Sequence, residues 1–128
     1  MQELFRQIIH LEEKLHHPEY RKDRLFLMET IHDDFLEFGR SGFQTDKKQT
    51  LHDLLDVTLD SAEIIYSENY TTTLLKTGVI LVTYLSYQLI NNQRTKLTNR
   101  SSIWIETRST DWQLRFHQGT PIAIERYI

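Results

Sequence analysis

Glu37 lies in Asp33-Asp-Phe-Leu-Glu-Phe-Gly-Arg-Ser-Gly42, and Arg100, Ser102 and Trp104 alternate in Arg100-Ser-Ser-Ile-Trp104. A third segment, Trp112-Gln-Leu-Arg-Phe-His-Gln-Gly-Thr-Pro121, adds His117 and Gln118. Alternate side chains of a strand share a face. If the large aromatics of these segments mark the concave side of a sheet, Glu37, Arg100, Ser102 and Gln118 enter one cavity, with Trp104 packing against whatever occupies it. One acid, one guanidinium and two neutral hydrogen-bonding groups suit a small polar or anionic organic molecule.

Each of these residues also has a plainer reading. A carboxylate in an apolar cavity has its pKa raised by desolvation and becomes a candidate general acid or base, but Glu37 paired with Arg100 would be a structural ion pair, ionised and unreactive. Arg100 is correspondingly either an anion clamp through its planar fork or the permanent partner of Glu37. His117 titrates near neutral pH and is the second catalytic candidate. By strand parity, however, it faces away from Trp112 and Phe116 unless a bulge near Gly119 turns it inward. A surface or dimer-interface histidine is the competing expectation. Tyr84 and Tyr87 lie on opposite faces of their strand, and Tyr84 is the one expected to reach the cavity.

Other chemistries lack a basis. His16-His17 and His32-Asp33-Asp34 have no second element at recognised ligand spacing, so no metal is expected. Gly39-Arg-Ser-Gly42 lacks the spacing of a nucleophile elbow and reads as a turn. No phosphate-cradling glycine loop or dinucleotide fingerprint is present, so no cofactor is implied. The absence of cysteine removes disulfides, thiolate ligands and thiol nucleophiles. A net charge of -3 with basic residues spread along the chain offers no field for nucleic acid.

The elements that must position these residues follow from periodicity. The chain has 128 residues, 39% hydrophobic and 26% charged, the size and balance of one globular domain. Leu4, Phe5, Ile8, Ile9, Leu11 and Leu15 form a helical stripe from Gln2 to His16. Pro18 suits the first turn of a second helix whose apolar face is Leu25, Met28 and Ile31. A short strand over Phe35 to Phe38 and a turn at Gly39 and Gly42 come next. Thr45 or Asp46 then caps a third helix that buries Leu51, Leu54 and Leu55. After Asp60 the texture is β-branched and aromatic, predicting antiparallel strands over Ala62 to Leu75, Val79 to Ile90, Leu97 to Thr107 and Trp112 to His117. Lys76-Thr-Gly78, Asn91-Asn-Gln93 and Arg108-Ser-Thr-Asp111 supply the turns. Helices followed by a strand meander imply an α+β domain. The N-terminus shows no signal peptide, and the most apolar window, Gly78 to Ile90, is too short to cross a bilayer as a helix, so a cytoplasmic location and no membrane contact are expected.

This order, with the three quoted segments, resembles the nuclear transport factor 2-like superfamily over nearly the whole chain, and within it the uncharacterised group called domain of unknown function 4440. The resemblance implies a cone-shaped α+β fold, N-terminal helices packed on the concave face of a curved, mainly antiparallel sheet, and a homodimer through the outer sheet face. In place of the usual Asp-Gly turn before the late tryptophan stands Arg108-Ser-Thr-Asp111. Three functions fit: a small-molecule-binding cone; an acid/base enzyme of isomerase, dehydratase or hydrolase type using Glu37 or His117; and a protein-interaction module with a vestigial pocket. Fold alone does not choose among them.

Overall fold

The computed structural model describes residues 1–56, 64–108 and 111–123. Among the described residues four helices, α1 (Gln2–Lys14), α2 (Pro18–Arg21), α3 (Arg24–Thr30) and α4 (Lys47–Leu55), accompany six strands: β1 (Ile31–Phe38), β2 (Gln44–Asp46), β3 (Tyr66–Lys76), β4 (Val79–Ile90), β5 (Gln93–Glu106) and β6 (Trp112–Pro121). They form one curved sheet in the order β2-β1-β6-β5-β4-β3. Of the strand pairs among the described residues, only β1–β6 is parallel; the rest are antiparallel. This is the expected α+β cone.

Several elements begin where side-chain chemistry dictates. Pro18 occupies the first turn of α2, and Asp46 caps α4 by accepting from the Gln49 amide at 2.9 Å. Asn91 and Asn92 both take positive φ in the β4–β5 turn, as a two-residue hairpin requires. The helix expected after Pro18 is interrupted, because Asp23 accepts from the Phe26 amide at 3.1 Å and starts a new helix there. The restart shifts the buried phase: Leu27 and Thr30 face inward, Leu25 and Met28 are exposed, and Ile31 already belongs to β1. β1 therefore includes Asp33 and Asp34 instead of beginning at Phe35. β5 starts at Gln93, ahead of Leu97, and β6 runs on to Pro121. The expected strand start at Ala62 lies outside the described residues.

The core sits between the concave face and the helices. Ile80, Val82, Trp104 and Leu114 from the sheet meet Ile8 of α1, Leu27 of α3 and the strand residues Ile31 and Phe35. Leu51, Leu54 and Leu55 of α4 pack against this cluster. No helix among the described residues is long and apolar enough to cross a membrane.

Sheet curvature comes with irregular pairing. In β3, Asn69 and Tyr70 together span the single position Tyr84 on β4, with Asn69 at φ 60. In β5, Lys96 and Leu97 span Tyr87, with Lys96 at φ 51. In β6, Ile103 pairs with Phe116 and Trp104 with Leu114, leaving Arg115 as an extra residue. Such bulges re-aim every side chain that follows them.

Candidate functional site

Two adjacent rows across the concave face carry the polar residues. In one, Glu37 of β1 lies beside His117 of β6, which faces Ser102 of β5. In the next, Gly119, Arg100 and Tyr84 align across β6, β5 and β4. Helix α1 lies over these rows, and its four-residue spacing sets Glu12 and His16 on one face, His16 standing just past the helix end.

Glu12 is 1% exposed. Its Oε1 accepts from the Trp104 indole Nε1–H at 2.9 Å, and its Oε2 accepts from the Tyr84 hydroxyl at 2.7 Å. Burial pushes its pKa up, opposed by hydrogen bonds from Ser102, Tyr84 and Trp104 and by the charge of Arg100. The Tyr84 oxygen, its own proton spent on Glu12, accepts from His16 Nε2–H at 2.9 Å. Burial, with the charges of Arg100, Arg21 and His17, lowers His16 to about 3, so the imidazole is neutral. The 4.0 Å separation of His16 Nε2 from Glu12 Oε2 is therefore not an ion pair.

A second chain starts at Arg100. Its Nε donates to Ser86 Oγ at 2.6 Å and its Nη1 to His117 Nε2 at 3.1 Å. A guanidinium only donates, so Nε2 of His117 bears the lone pair and Nδ1 carries the proton, which goes to Ser102 Oγ at 2.7 Å. Burial, then Arg100 and His16, hold His117 well below the usual imidazole range. Both its nitrogens are engaged. Gly119 makes room for the guanidinium: a Cβ there would lie 3.0 Å from Arg100 Nη1 and 3.2 Å from Thr98 Cγ2.

Arg100 thus commits two of its five N–H groups, both to neutral partners. Among the described residues no carboxylate lies within 4.0 Å of it. Glu37 likewise has no hydrogen bond or ion pair among the described residues, so the expected alternative of a Glu37–Arg100 ion pair is not realised. Burial raises the Glu37 pKa against the pull of Arg100, and the Glu12 carboxylate pushes the same way as burial.

These groups border a cavity of about 230 Å³, whose wall combines His16, Glu37, Tyr84, Arg100 and His117 with apolar Ile31, Phe35 and Leu54. It is smaller than the ~300–1,000 Å³ of drug-sized sites. Glu37, Tyr84 and Arg100 of the anticipated lining are at this wall. Ser102 and Trp104 are fully buried behind it, orienting His117 and Glu12. Gln118 is a correction: it is exposed, in a separate groove of the outer face with Thr83, Asn99, Ser101 and Thr120, a groove that Tyr84 and Arg100 also border. The cause is the extra residue Arg115, which reverses parity after Leu114, sending Phe116 and Gln118 outward and His117 inward. The turning point lies upstream of Gly119, where a bulge had been considered.

Sequence reading missed Glu12 and His16. The signal was present: Glu12 follows Ile8 by four residues, so an acid stands within the apolar stripe of α1.

No protein-family model and no curated protein matches the sequence. Comparison of the folded chain does find solved structures of the same architecture. An NTF2-like protein of unknown function in nutrient uptake from Rhodospirillum rubrum superposes with a TM-score of 0.69 at 17% identity, covering 91% of this chain and 98% of its own. A protein from Parabacteroides distasonis provisionally called a ketosteroid isomerase gives 0.70 at 14% identity, covering 92% and 87%. An NTF2-like protein of unknown function from Pseudomonas putida gives 0.71 at 13% identity, covering 98% and 92%. At these identities the likeness shows the fold, which is NTF2-like.

Proposed function

We propose that this chain binds a small anionic or polar organic molecule in the concave cavity, with Arg100 as the anion clamp and Glu37, Tyr84 and His16 as its polar surroundings. The observation that carries this reading is the unpaired guanidinium. Among the described residues this half-buried cation is hydrogen-bonded only by neutral groups at the edge of a partly open cavity, without the directly paired carboxylate that a structural arginine normally has. Its remaining N–H groups match the planar oxygens of a carboxylate or phosphate. Gly119 supports the same reading, since it leaves the guanidinium space to sit between His117 and the cavity.

A thermal-shift screen with acetate, short hydroxy and keto acids and inorganic phosphate tests the reading. A ligand binding only the native state raises Tm, by the equivalent of about 2.7 kcal/mol at one hundred times Kd. The expected result is a rise with one or more of these anions that disappears in Arg100→Met. A rise of equal size in the variant, or none in the wild type, overturns it.

Glu37 favours a second reading. An unpaired carboxyl with a raised pKa at a cavity wall is suited to proton transfer next to a cation that stabilises developing negative charge, as in an isomerase or dehydratase. Turnover of enolisable ketones, lost in Glu37→Gln, is the expected sign; equal rates in the two proteins sink it. His117 fits this role less well, since both its nitrogens are occupied. We further place the chain in the cytoplasm, as a homodimer through the outer sheet face that carries Gln118, and, from its sequence motifs, within the domain of unknown function 4440 group.

A further inference from the structure

From the placement of Glu37 and Arg100 on one cavity wall we infer that the molecule taken there is a zwitterion, a short amino acid whose carboxylate meets Arg100 and whose ammonium meets Glu37. The inference rests on the anion-clamp reading and narrows it. Arg100 commits Nε to Ser86 at 2.6 Å and Nη1 to His117 at 3.1 Å, which leaves Nη2 without a partner among the described residues. Ser86, two residues along β4 from Tyr84, and His117 both face the concave side, so the guanidinium lies there too. Glu37 stands next to His117 on β1, and neither of its carboxylate oxygens has a hydrogen bond or ion pair among the described residues. These atoms are not sealed in. Among the described residues the fully enclosed side-chain nitrogen or oxygen lacking a partner is His16 Nδ1, so Arg100 Nη2 and the Glu37 oxygens keep accessible surface. Both side chains belong to the wall of the 230 Å³ cavity.

The two charges are more than 4.0 Å apart, beyond an ion pair, and the bonds to Ser86 and His117 keep the guanidinium from swinging toward the acid. Each therefore needs its own counter-charge, and one molecule carrying both neutralises the pair without moving either side chain. A simple carboxylate satisfies Arg100 alone. It brings its negative charge close to Glu37, whereas an ammonium on the same molecule replaces that repulsion with a charge-assisted hydrogen bond. Burial raises the Glu37 pKa, and an ammonium restores the ionised form that burial disfavours. Glu12, the other acid at this wall, does not suit the role, because it is enclosed and takes hydrogen bonds from Trp104, Tyr84 and Ser102. The surroundings divide the same way. Arg21 joins Arg100 at the cavity wall. Glu37 also borders a hollow of about 330 Å³ between the β1–β2 hairpin and α4, where Asp53 is the other charged residue of the described lining. An ammonium at Glu37 thus meets acids and neutral groups on that side. At ~30 Å³ per water the cavity has the volume of about eight waters, which suits an amino acid of a few carbons.

Calorimetric titration of the wild-type chain with three matched series is the test. The first is glycine, β-alanine and γ-aminobutyrate. The second, acetate, propionate and butyrate, lacks only the ammonium, and the third, methylamine, ethylamine and propylamine, lacks only the carboxylate. At least one amino acid should bind about tenfold tighter, or more, than both its acid and its amine counterpart, as a charge-assisted hydrogen bond provides. The length that binds best measures the gap between the two charges. In Glu37→Gln that amino acid should fall to the affinity of its acid, and in Arg100→Met both should lose binding. Acids that match their amino acids at all three lengths overturn the zwitterion and leave the anion site standing. An amino-acid advantage that survives in Glu37→Gln overturns the pairing with Glu37. Amines that match the amino acids remove Arg100 from the site, and an absence of binding in every series brings down both readings. The wild-type comparison needs no variant, so it decides the matter even if Glu37→Gln fails to fold.

Discussion

Where Trp104, Ile80, Leu114 and Ile31 meet α1 and α3, the concave face is sealed by interdigitated apolar side chains. Further along the same strands it carries first Glu37 beside His117 and Ser102, then Arg100 and Tyr84, around a partly open space. Strand pairing runs through both ends, interrupted by the bulges at Asn69–Tyr70 and Arg115 that decide which side chains face inward. A polar network that served only stability would close every hydrogen bond, because an unpaired buried group costs more than an apolar replacement. Among the described residues the polar end instead leaves a guanidinium without a directly paired carboxylate, a carboxyl without a hydrogen-bond partner and an imidazole nitrogen without a donor. The apolar end holds the fold, and the polar end departs from what stability alone would select, as binding sites do.

The largest expected effect is at the sealed end. Trp104 is fully buried, and Trp104→Ala should cost about 3–5 kcal/mol, from lost burial and the cavity left behind. Part of that loss is polar, since the indole N–H also satisfies Glu12. Trp104→Phe separates the two contributions: it keeps most of the volume and should cost about 1–3 kcal/mol, the range for leaving one buried acceptor unsatisfied. Urea unfolding measures both. Equal costs for the two variants would mean that the hydrogen bond to Glu12, and not packing, makes Trp104 important.

The polar end should be breakable by pH instead of volume. The folded pKa of His16 is depressed from 6.5 to about 3, and that of His117 also lies well below 6.5. The unfolded chain takes up these protons near 6.5 while the folded chain does not. Their contribution to stability is therefore complete above pH 6.5 and declines as pH falls toward the folded values. Each imidazole removes up to about 1.4 kcal/mol per pH unit within that window. The urea midpoint should thus be clearly lower at pH 5.5 than at 7.5. The raised carboxyls of Glu12 and Glu37 act in the opposite sense, so the rings are also followed directly: imidazole nitrogen-15 shifts that titrate near 6.5 would mean that they are not held neutral.

Much of this contrast was legible in the sequence, and the unread part has specific causes. The helical stripe of α1, the Asp46 cap, the Asn91-Asn92 turn and the strand meander are local signals, and residues a few positions apart determine them. The Asp23 cap was equally local but was masked by a plausible period running through Leu25, Met28 and Ile31. Bulges are a different matter. Arg115, Lys96 and Asn69 sit where a neighbouring strand has one residue fewer, and no glycine marks any of the three positions. Parity counted through Arg115 therefore exchanged His117 with Gln118. Glu37, Arg100 and Tyr84 were found because no error of register lay between them and their assigned face. Glu12 was overlooked because an acid in a helix is usually solvated, and what covers it comes from strands some seventy and ninety residues away.

The smallest expected effect has the opposite sign and addresses Glu37. Its folded pKa is raised above 4.5, chiefly by burial, so its favourable contribution is complete below pH 4.5 and is lost as pH rises through the folded value. At neutral pH the ionised group is a liability to the fold. Glu37→Gln should then be more stable than the wild type at pH 7, by about 1 kcal/mol or less, the scale of substitutions outside the packed core. Below pH 4.5 the two proteins should converge, since the wild-type carboxyl is then neutral in both states. The same variant should lose turnover if the carboxyl moves protons, and keep anion binding if Arg100 alone sets affinity. A Gln variant less stable than the wild type at pH 7 would reveal a charge-dependent partner for Glu37, and the polar end would then be a closed structural network like any other.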